Sequence, residues 1–80
     1  MPLYNRQHQQ GIRDILLAIV ADVNAPASVR RAANQRLAAF RTDDVELTRQ
    51  GLLAMDNGAS NEDRLTAIDL LGRILLRTTP

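Results

Sequence analysis

The stretch that most constrains the fold is SNEDRLTAIDLLGRILLR, residues 60–77. At about 100° per residue, its polar side chains fall on one narrow strip of a helix. The strip consists of Glu62, Thr66, Asp69, Arg73 and Arg77. The remaining arc, roughly 240° wide, is apolar, with Leu70 and Leu76 at its edges. A surface helix usually buries an apolar stripe of ~100°, so we expect this one to pack on several sides. It is either a central core helix or a core helix that also forms an oligomer or partner interface.

The ends of this helix are marked by residues that suit helix termini. Ser60 is an N-cap candidate with Asp63 three residues later. Acidic residues follow the cap and arginines come last, as the helix dipole favours. Turn and capping residues of the same kind mark the helix boundaries in the rest of the chain. Asn24-Ala25-Pro26 ends one helix and starts the next, Asp43 and Glu46 have the spacing of an acidic capping box, and Asn57-Gly58 predicts a left-handed stop. The predicted helices are residues 6–23, 27–41, 43–56 and 61–77.

Each helix has apolar residues at three-and-four spacing, which predicts its buried face. The first helix has such a line from Ile12 to Val23, and the third has Val45, Thr48, Leu52 and Met55. We expect the most buried side chains to be Ile15, Ile19, Val29, Leu37, Ile68 and Leu71. Arg36 falls inside the stripe of the second helix, so we expect it to reach the rim or pair with an aspartate. Gly51, in mid-helix, predicts a close helix crossing.

The sequence therefore predicts an all-α fold of four short helices, arranged as two helical hairpins in a compact bundle or a HEAT-like layer. We treat residues 1–80 as a single domain with loose ends at 1–5 and 78–80. A faint internal repeat supports the hairpins. Residues 15–19 match 51–55 at an offset of 36, and Ala33, Leu37 and Ala38 match Ala67, Leu71 and Gly72 at 34.

The segment Val29-Arg30-Arg31-Ala32-Ala33, followed by Leu37-Ala38, resembles the second helix of HEAT-type helical-hairpin repeats. The stretch around it also resembles helical segments of small phage and bacterial accessory proteins. The resemblance covers about two thirds of the chain. Two repeats are fewer than the three or more that a solenoid normally needs, so a closed four-helix arrangement stays open.

The residue inventory argues against catalysis and against a bound cofactor. There is no cysteine and no lysine, the four glycines are isolated, and the single histidine, His8, stands among polar residues near the N-terminus. Nucleophile–base pairs, thiolate metal sites and phosphate loops all need residues that are missing here. We predict a non-enzyme without cofactor or metal. No run approaches the ~18 apolar residues of a membrane span, so we expect a cytoplasmic protein without membrane contact.

The predicted function is that of a protein-interaction module, such as an adaptor, an assembly factor or an inhibitor of a larger protein machine. Two surfaces carry this prediction: an arginine-rich flank of the second helix, and the edge leucines of the last helix, which are surplus to a small core. The proposed partner-binding residues are Arg30, Arg31, Asn34, Arg41, Leu70 and Leu76. Through the leucines we expect a homo-oligomer, most simply a dimer.

The alternative function is a DNA-binding regulator that uses the arginine flank to contact phosphates. Charge bears on this choice. Residues 1–41 hold six arginines against two aspartates, whereas residues 42–80 hold four arginines against seven acidic residues. The acidic half would repel nucleic acid, so we favour a protein partner. The two halves could also pair across subunits or steer a charged partner.

Overall fold

The structure is a computed structural model that describes residues 6–78. It confirms the all-α class with four helices: α1 (Arg6–Ala21), α2 (Ala27–Leu37), α3 (Asp43–Met55) and α4 (Asn61–Thr78). The predicted bounds agree to within a few residues. The largest difference is at the end of α2, four residues before the predicted residue 41. Of the ends predicted to be loose, 1–5 and 78–80, residues 1–5 and 79–80 lie outside the described residues, whereas Thr78 is the last residue of α4.

The helices form two hairpins, as predicted. α1 packs against α2, and α3 packs against α4. The chain divides into two compact units between Phe40 and Arg41, so each unit contains one hairpin. The prediction of a single domain over residues 1–80 stays a prediction.

Around their turns the two hairpins repeat one another at an offset of 34. α1 and α3 end 34 residues apart, and so do the starts of α2 and α4. The turns share their hydrogen bonds as well: Ala25 N donates to Asp22 O at 3.1 Å, and Ala59 N donates to Asp56 O at 3.1 Å. The offset of 36 between the first and third helices is therefore wrong. The offset of 36 came from aligning similar apolar residues, whereas the helix ends and the turn hydrogen bonds align at an offset of 34.

An aspartate organises each turn. Asp22 Oδ1 accepts a hydrogen bond from Asn24 N, and Asp56 Oδ1 accepts one from Gly58 N, each at 2.9 Å. This side-chain contact reverses the chain without a left-handed residue. No residue in the described range 6–78 has a positive φ. The predicted left-handed stop at Asn57-Gly58 is therefore wrong, because the aspartate supplies the turn that a glycine would otherwise provide.

The helix starts agree only partly with their predicted caps. Ser60 Oγ accepts a hydrogen bond from Asp63 N at 3.1 Å, which confirms the cap of α4. At α3 the residue before the helix is Thr42, with no side-chain cap, so Asp43 is not the N-cap of a capping box. Three acidic residues in the first turn still match the positive end of the helix dipole. Pro26 precedes α2 as its N-cap residue rather than lying in the first turn.

The buried faces of the helices are narrower than predicted. The buried apolar residues are Val20, Ala33, Leu37, Val45, Leu52, Ala67 and Ile74. Of the six residues predicted to be most buried, Leu37 is confirmed, with no exposed surface. Ile19 and Leu71 are half-buried, and Ile15, Val29 and Ile68 are exposed. On α3 the predicted inward line is right at Val45 and Leu52 but wrong at Met55, which is exposed.

In α2 the buried arc is rotated relative to the predicted stripe. Burial centres on Ala33 and Leu37 and extends to Arg30 and Asn34, away from Val29. This rotation also places Arg36 on the surface, which agrees with the rim position expected for it. The reason is a hydrogen bond of Arg30, described below.

Gly51 does not mark a close helix crossing. A Cβ atom built on it would have no neighbour within 4 Å. The predicted crossing is therefore wrong for the described part of the chain.

We expect Gly51→Ala to raise the free energy of unfolding by about 1 kcal/mol, because alanine is the better helix former and its methyl group meets open space. Urea unfolding followed by circular dichroism measures the change. Gly58→Asn is the control: Asn24 occupies the equivalent turn position, so this variant should change stability by less than about 0.5 kcal/mol. A destabilised Gly51→Ala would show that the site is crowded.

The repeat offers a matched test of burial at Leu37 and Leu71. Leu37→Ala should cost about 2–5 kcal/mol, the range for a large-to-small change in a core. Leu71→Ala should cost less, because Leu71 is only half-buried. Equal losses in the same urea experiment would contradict the burial difference between the two hairpins.

Candidate interaction surface

One arginine in each hairpin ties its two helices together. Arg30 Nε donates to the backbone oxygen of Val20 at 3.0 Å, and Arg64 Nε donates to the backbone oxygen of Ala54 at 3.0 Å. Each acceptor lies in the last turn of the preceding helix, where carbonyl groups lack a partner within their own helix. The arginine therefore satisfies the end of one helix from the side of the next.

This contact changes the role of the predicted arginine flank. Arg30 is half-buried and Asn34 is 5% exposed, so both lie on the inner side of the α1–α2 hairpin rather than on its outward flank. Arg31 is exposed on α2. Arg41 is also exposed, but it follows α2 and belongs to the second unit. The structure therefore does not place the four residues on one surface of α2.

The sequence analysis did not predict that Arg30 and Arg64 have the same structural role in their hairpins, although a repeated pattern of identical residues indicates it. At the offset of 34, identical residues recur through the turn and the second helix. They are Asp22 and Asp56, Ala25 and Ala59, Arg30 and Arg64, Ala33 and Ala67, and Leu37 and Leu71. An arginine kept inside such a run, next to small core residues, indicates a structural role for its side chain.

The largest exposed apolar surface of α4 faces away from α3. Toward α3 the helix buries Ala67 and Ile74, with Leu71 half-buried. A second apolar arc is centred more than 100° around the helix from the face that packs on α3. It consists of Leu65, Ile68, Gly72, Leu75 and Leu76, and we call it the α4 outer face. Its large side chains are 66%, 54%, 64% and 78% exposed, respectively.

A charged strip borders the α4 outer face on one side. Arg73 pairs with Asp69 at 3.2 Å along the helix, and Arg77 reaches Asp43 at the start of α3 at 3.2 Å. All four side chains are mostly exposed, so each pair contributes little to stability. The α4 outer face therefore ends at this charged strip.

A groove of about 370 Å³ lies on the other side of this strip, between α3 and α4. It is lined by Glu46, Leu70, Arg73, Ile74 and Arg77. Glu46 Oε1 accepts a hydrogen bond from Gln50 Nε2 at 2.8 Å, and Glu46 Oε2 forms an ion pair with Arg49 Nη1 at 3.6 Å. Both arginines of the groove already pair with aspartates, so the groove shows no charge arranged for a ligand.

The two leucines predicted to bind a partner lie on different sides of α4. Leu70 is half-buried in the groove, whereas Leu76 belongs to the α4 outer face. Six residues of separation place them about 120° apart around the helix. The exposed apolar arc therefore includes Leu76 together with Leu65, Leu75 and Ile68, and Ile68 was predicted to be buried.

Within residues 6–78 no three potential ligands from histidine, aspartate and glutamate gather where they could hold a metal ion. Over the same range, no helix has both the length and the apolar character needed to cross a bilayer. No family model, no curated protein and no solved structure matches the chain. The functional argument therefore depends on the surfaces described above.

We expect Arg30→Met and Arg64→Met each to lower the free energy of unfolding by about 1–3 kcal/mol. Methionine keeps most of the aliphatic stem but leaves the carbonyl of Val20 or Ala54 without its donor. Arg31→Met is the control and should cost less than about 0.5 kcal/mol, because Arg31 lies on the exposed side of the same helix. Urea unfolding of the three variants checks this, and equal effects at Arg30 and Arg31 would contradict the structural role of Arg30.

Proposed function

We propose that this chain is a non-enzymatic protein-interaction module that binds a protein partner through the α4 outer face. The observation that carries the proposal is the exposure of four large apolar side chains along one arc of a single helix. Contiguous apolar surface of this kind, bordered by polar residues, commonly marks a protein-binding site on a soluble domain. A helix is also a common partner for such an arc, since it can present a matching apolar stripe.

The cost of leaving this surface exposed supports the proposal. Four half- to three-quarter-exposed Leu and Ile residues forgo much of the burial energy that each could contribute, about 1.5–3 kcal/mol when fully buried. A chain of 80 residues buries a smaller fraction of its surface on folding than a larger one, so unburied Leu and Ile side chains matter more to its stability. Association that covers the arc would recover part of this energy.

The arginine flank contributes less to the proposal than the sequence predicted. Arg30 donates to Val20 O and Asn34 is buried, so both serve the α1–α2 hairpin. The same two residues were half of the surface on which the DNA-binding alternative depended. We therefore propose a protein rather than a nucleic acid as the partner.

The kind of interaction module and its cellular location are proposed from the sequence. An adaptor, an assembly factor or an inhibitor would each act through such a surface, and the absence of cysteine is compatible with a cytoplasmic location. The resemblance of the second helix to HEAT-type repeats remains part of the proposal.

The test is a capture experiment with three tagged versions of the chain in a nuclease-treated lysate of its source cells. We expect the wild type to retain a protein that Ile68→Asp loses, because a carboxylate in the middle of the arc would be buried without a partner. Ile15→Asp is the matched control: Ile15 is 63% exposed on α1, so the variant changes exposed apolar surface without altering α4.

The captured protein is then purified and its binding to the three versions is measured directly. Retention by wild type and Ile15→Asp with loss in Ile68→Asp supports the proposal. Equal binding by all three versions would contradict the assignment of the α4 outer face. A parallel capture without nuclease is the comparison, and a protein retained only there would favour the nucleic-acid alternative.

A further inference from the structure

Four of the five residues of the α4 outer face have a spacing that is the same in both directions along the helix, and Leu76 lies outside this pattern. Leu65, Ile68, Gly72 and Leu75 are separated by three, four and three residues. This is the spacing with which two helices pack along a shared seam. Because the order of intervals is unchanged on reversal, a second α4 helix running in the opposite direction presents the same pattern.

The sizes of the side chains are also complementary on reversal. When two α4 helices are antiparallel and centred at the level of residue 70, Leu65 of one copy lies opposite Leu75 of the other. Ile68 of each copy then lies opposite Gly72 of the other. A Cβ atom added to Gly72 would have no neighbour within 4 Å, so this position has space for a facing side chain. The space around Gly51 is equally empty, so Gly72 differs from Gly51 only in that it lies within the apolar arc.

The charges of α4 favour the same orientation. The first half of the helix carries Glu62, Asp63 and Asp69 against Arg64, whereas the second half carries only Arg73 and Arg77. A parallel pair would place acidic half beside acidic half. An antiparallel pair places the acidic half of each copy beside the basic half of the other, and the helix dipoles oppose one another as well.

We infer that the α4 outer face binds the same face of a second copy of this chain, with the two α4 helices antiparallel about a two-fold axis near residue 70. This inference deepens the proposed function by naming the partner, and it depends on the same surface. A two-fold pair uses one patch twice, so a palindromic patch is what such an interface requires. The contact centres on Ile68 and Gly72, not on Leu70, which lies in the α3–α4 groove.

Sedimentation of the purified full chain over a range of micromolar concentrations tests the association. We expect a reversible monomer–dimer equilibrium for the wild type and for Ile15→Asp. Ile68→Asp should raise the dimer dissociation constant at least about 100-fold, because two unpaired carboxylates would be buried near the axis. Ile68 is 54% exposed, so the variant should fold, and its circular dichroism spectrum checks this.

Disulfide trapping tests the orientation, and the cysteine-free sequence makes it specific. Leu65→Cys and Leu75→Cys are prepared as separate proteins. In the antiparallel pair, identical positions lie about 15 Å apart along the axis, too far for a disulfide. We therefore expect each variant to remain uncrosslinked alone and the oxidised mixture to form a disulfide dimer.

Crosslinking of each variant with itself would overturn the antiparallel arrangement. A wild-type chain that stays monomeric at high micromolar concentration would overturn the second copy as the partner. The proposed function is tested separately: if the chain is monomeric while Ile68→Asp still loses a captured protein of different sequence, the inference fails and the interaction module stands.

Discussion

In each hairpin, an arginine side chain donates a hydrogen bond to the last turn of the preceding helix and links the two helices. Arg30 and Arg64 lie early in the second helix of their hairpins, so their reach to Val20 O and Ala54 O sets the rotation of that helix against the first. Ala33 and Ala67, three residues later, then face the neighbouring helix and are almost fully buried. In α2 this rotation turns Val29 outward, and in α4 the α4 outer face is left exposed.

Much of the fold could be predicted from the sequence because its signals are local. Apolar periodicity, proline and aspartate in the turns, and Ser60 at a helix start determine four helices and their ends to within a few residues. The all-α class and the hairpin pairing follow, since short turns make consecutive helices neighbours. Leu37 was correctly placed in the core because it lies in the middle of a stripe under either rotation of α2.

The buried faces were harder to predict because periodicity gives an apolar arc and not the part of it that is covered. On α4 the arc is far wider than one neighbour can bury, so residues such as Ile68 and Leu71 differ in exposure although both lie within it. Which part faces α3 depends on Arg64, whose acceptor is a backbone atom ten residues earlier. A backbone acceptor leaves no mark in the sequence. The sequence placed one candidate surface on α4, but of the four exposed Leu and Ile side chains of the α4 outer face it singled out only Leu76.

The same backbone acceptor has a consequence for how the two hairpins could diverge. A contact between two side chains requires both residues to be maintained, whereas this contact requires only the arginine. Val20 and Ala54 differ in identity, yet each carbonyl accepts the same hydrogen bond at the same distance. The other positions of the two hairpins can then differ. Leu65 lies on the exposed apolar surface of α4, whereas the equivalent position of α2 holds Arg31.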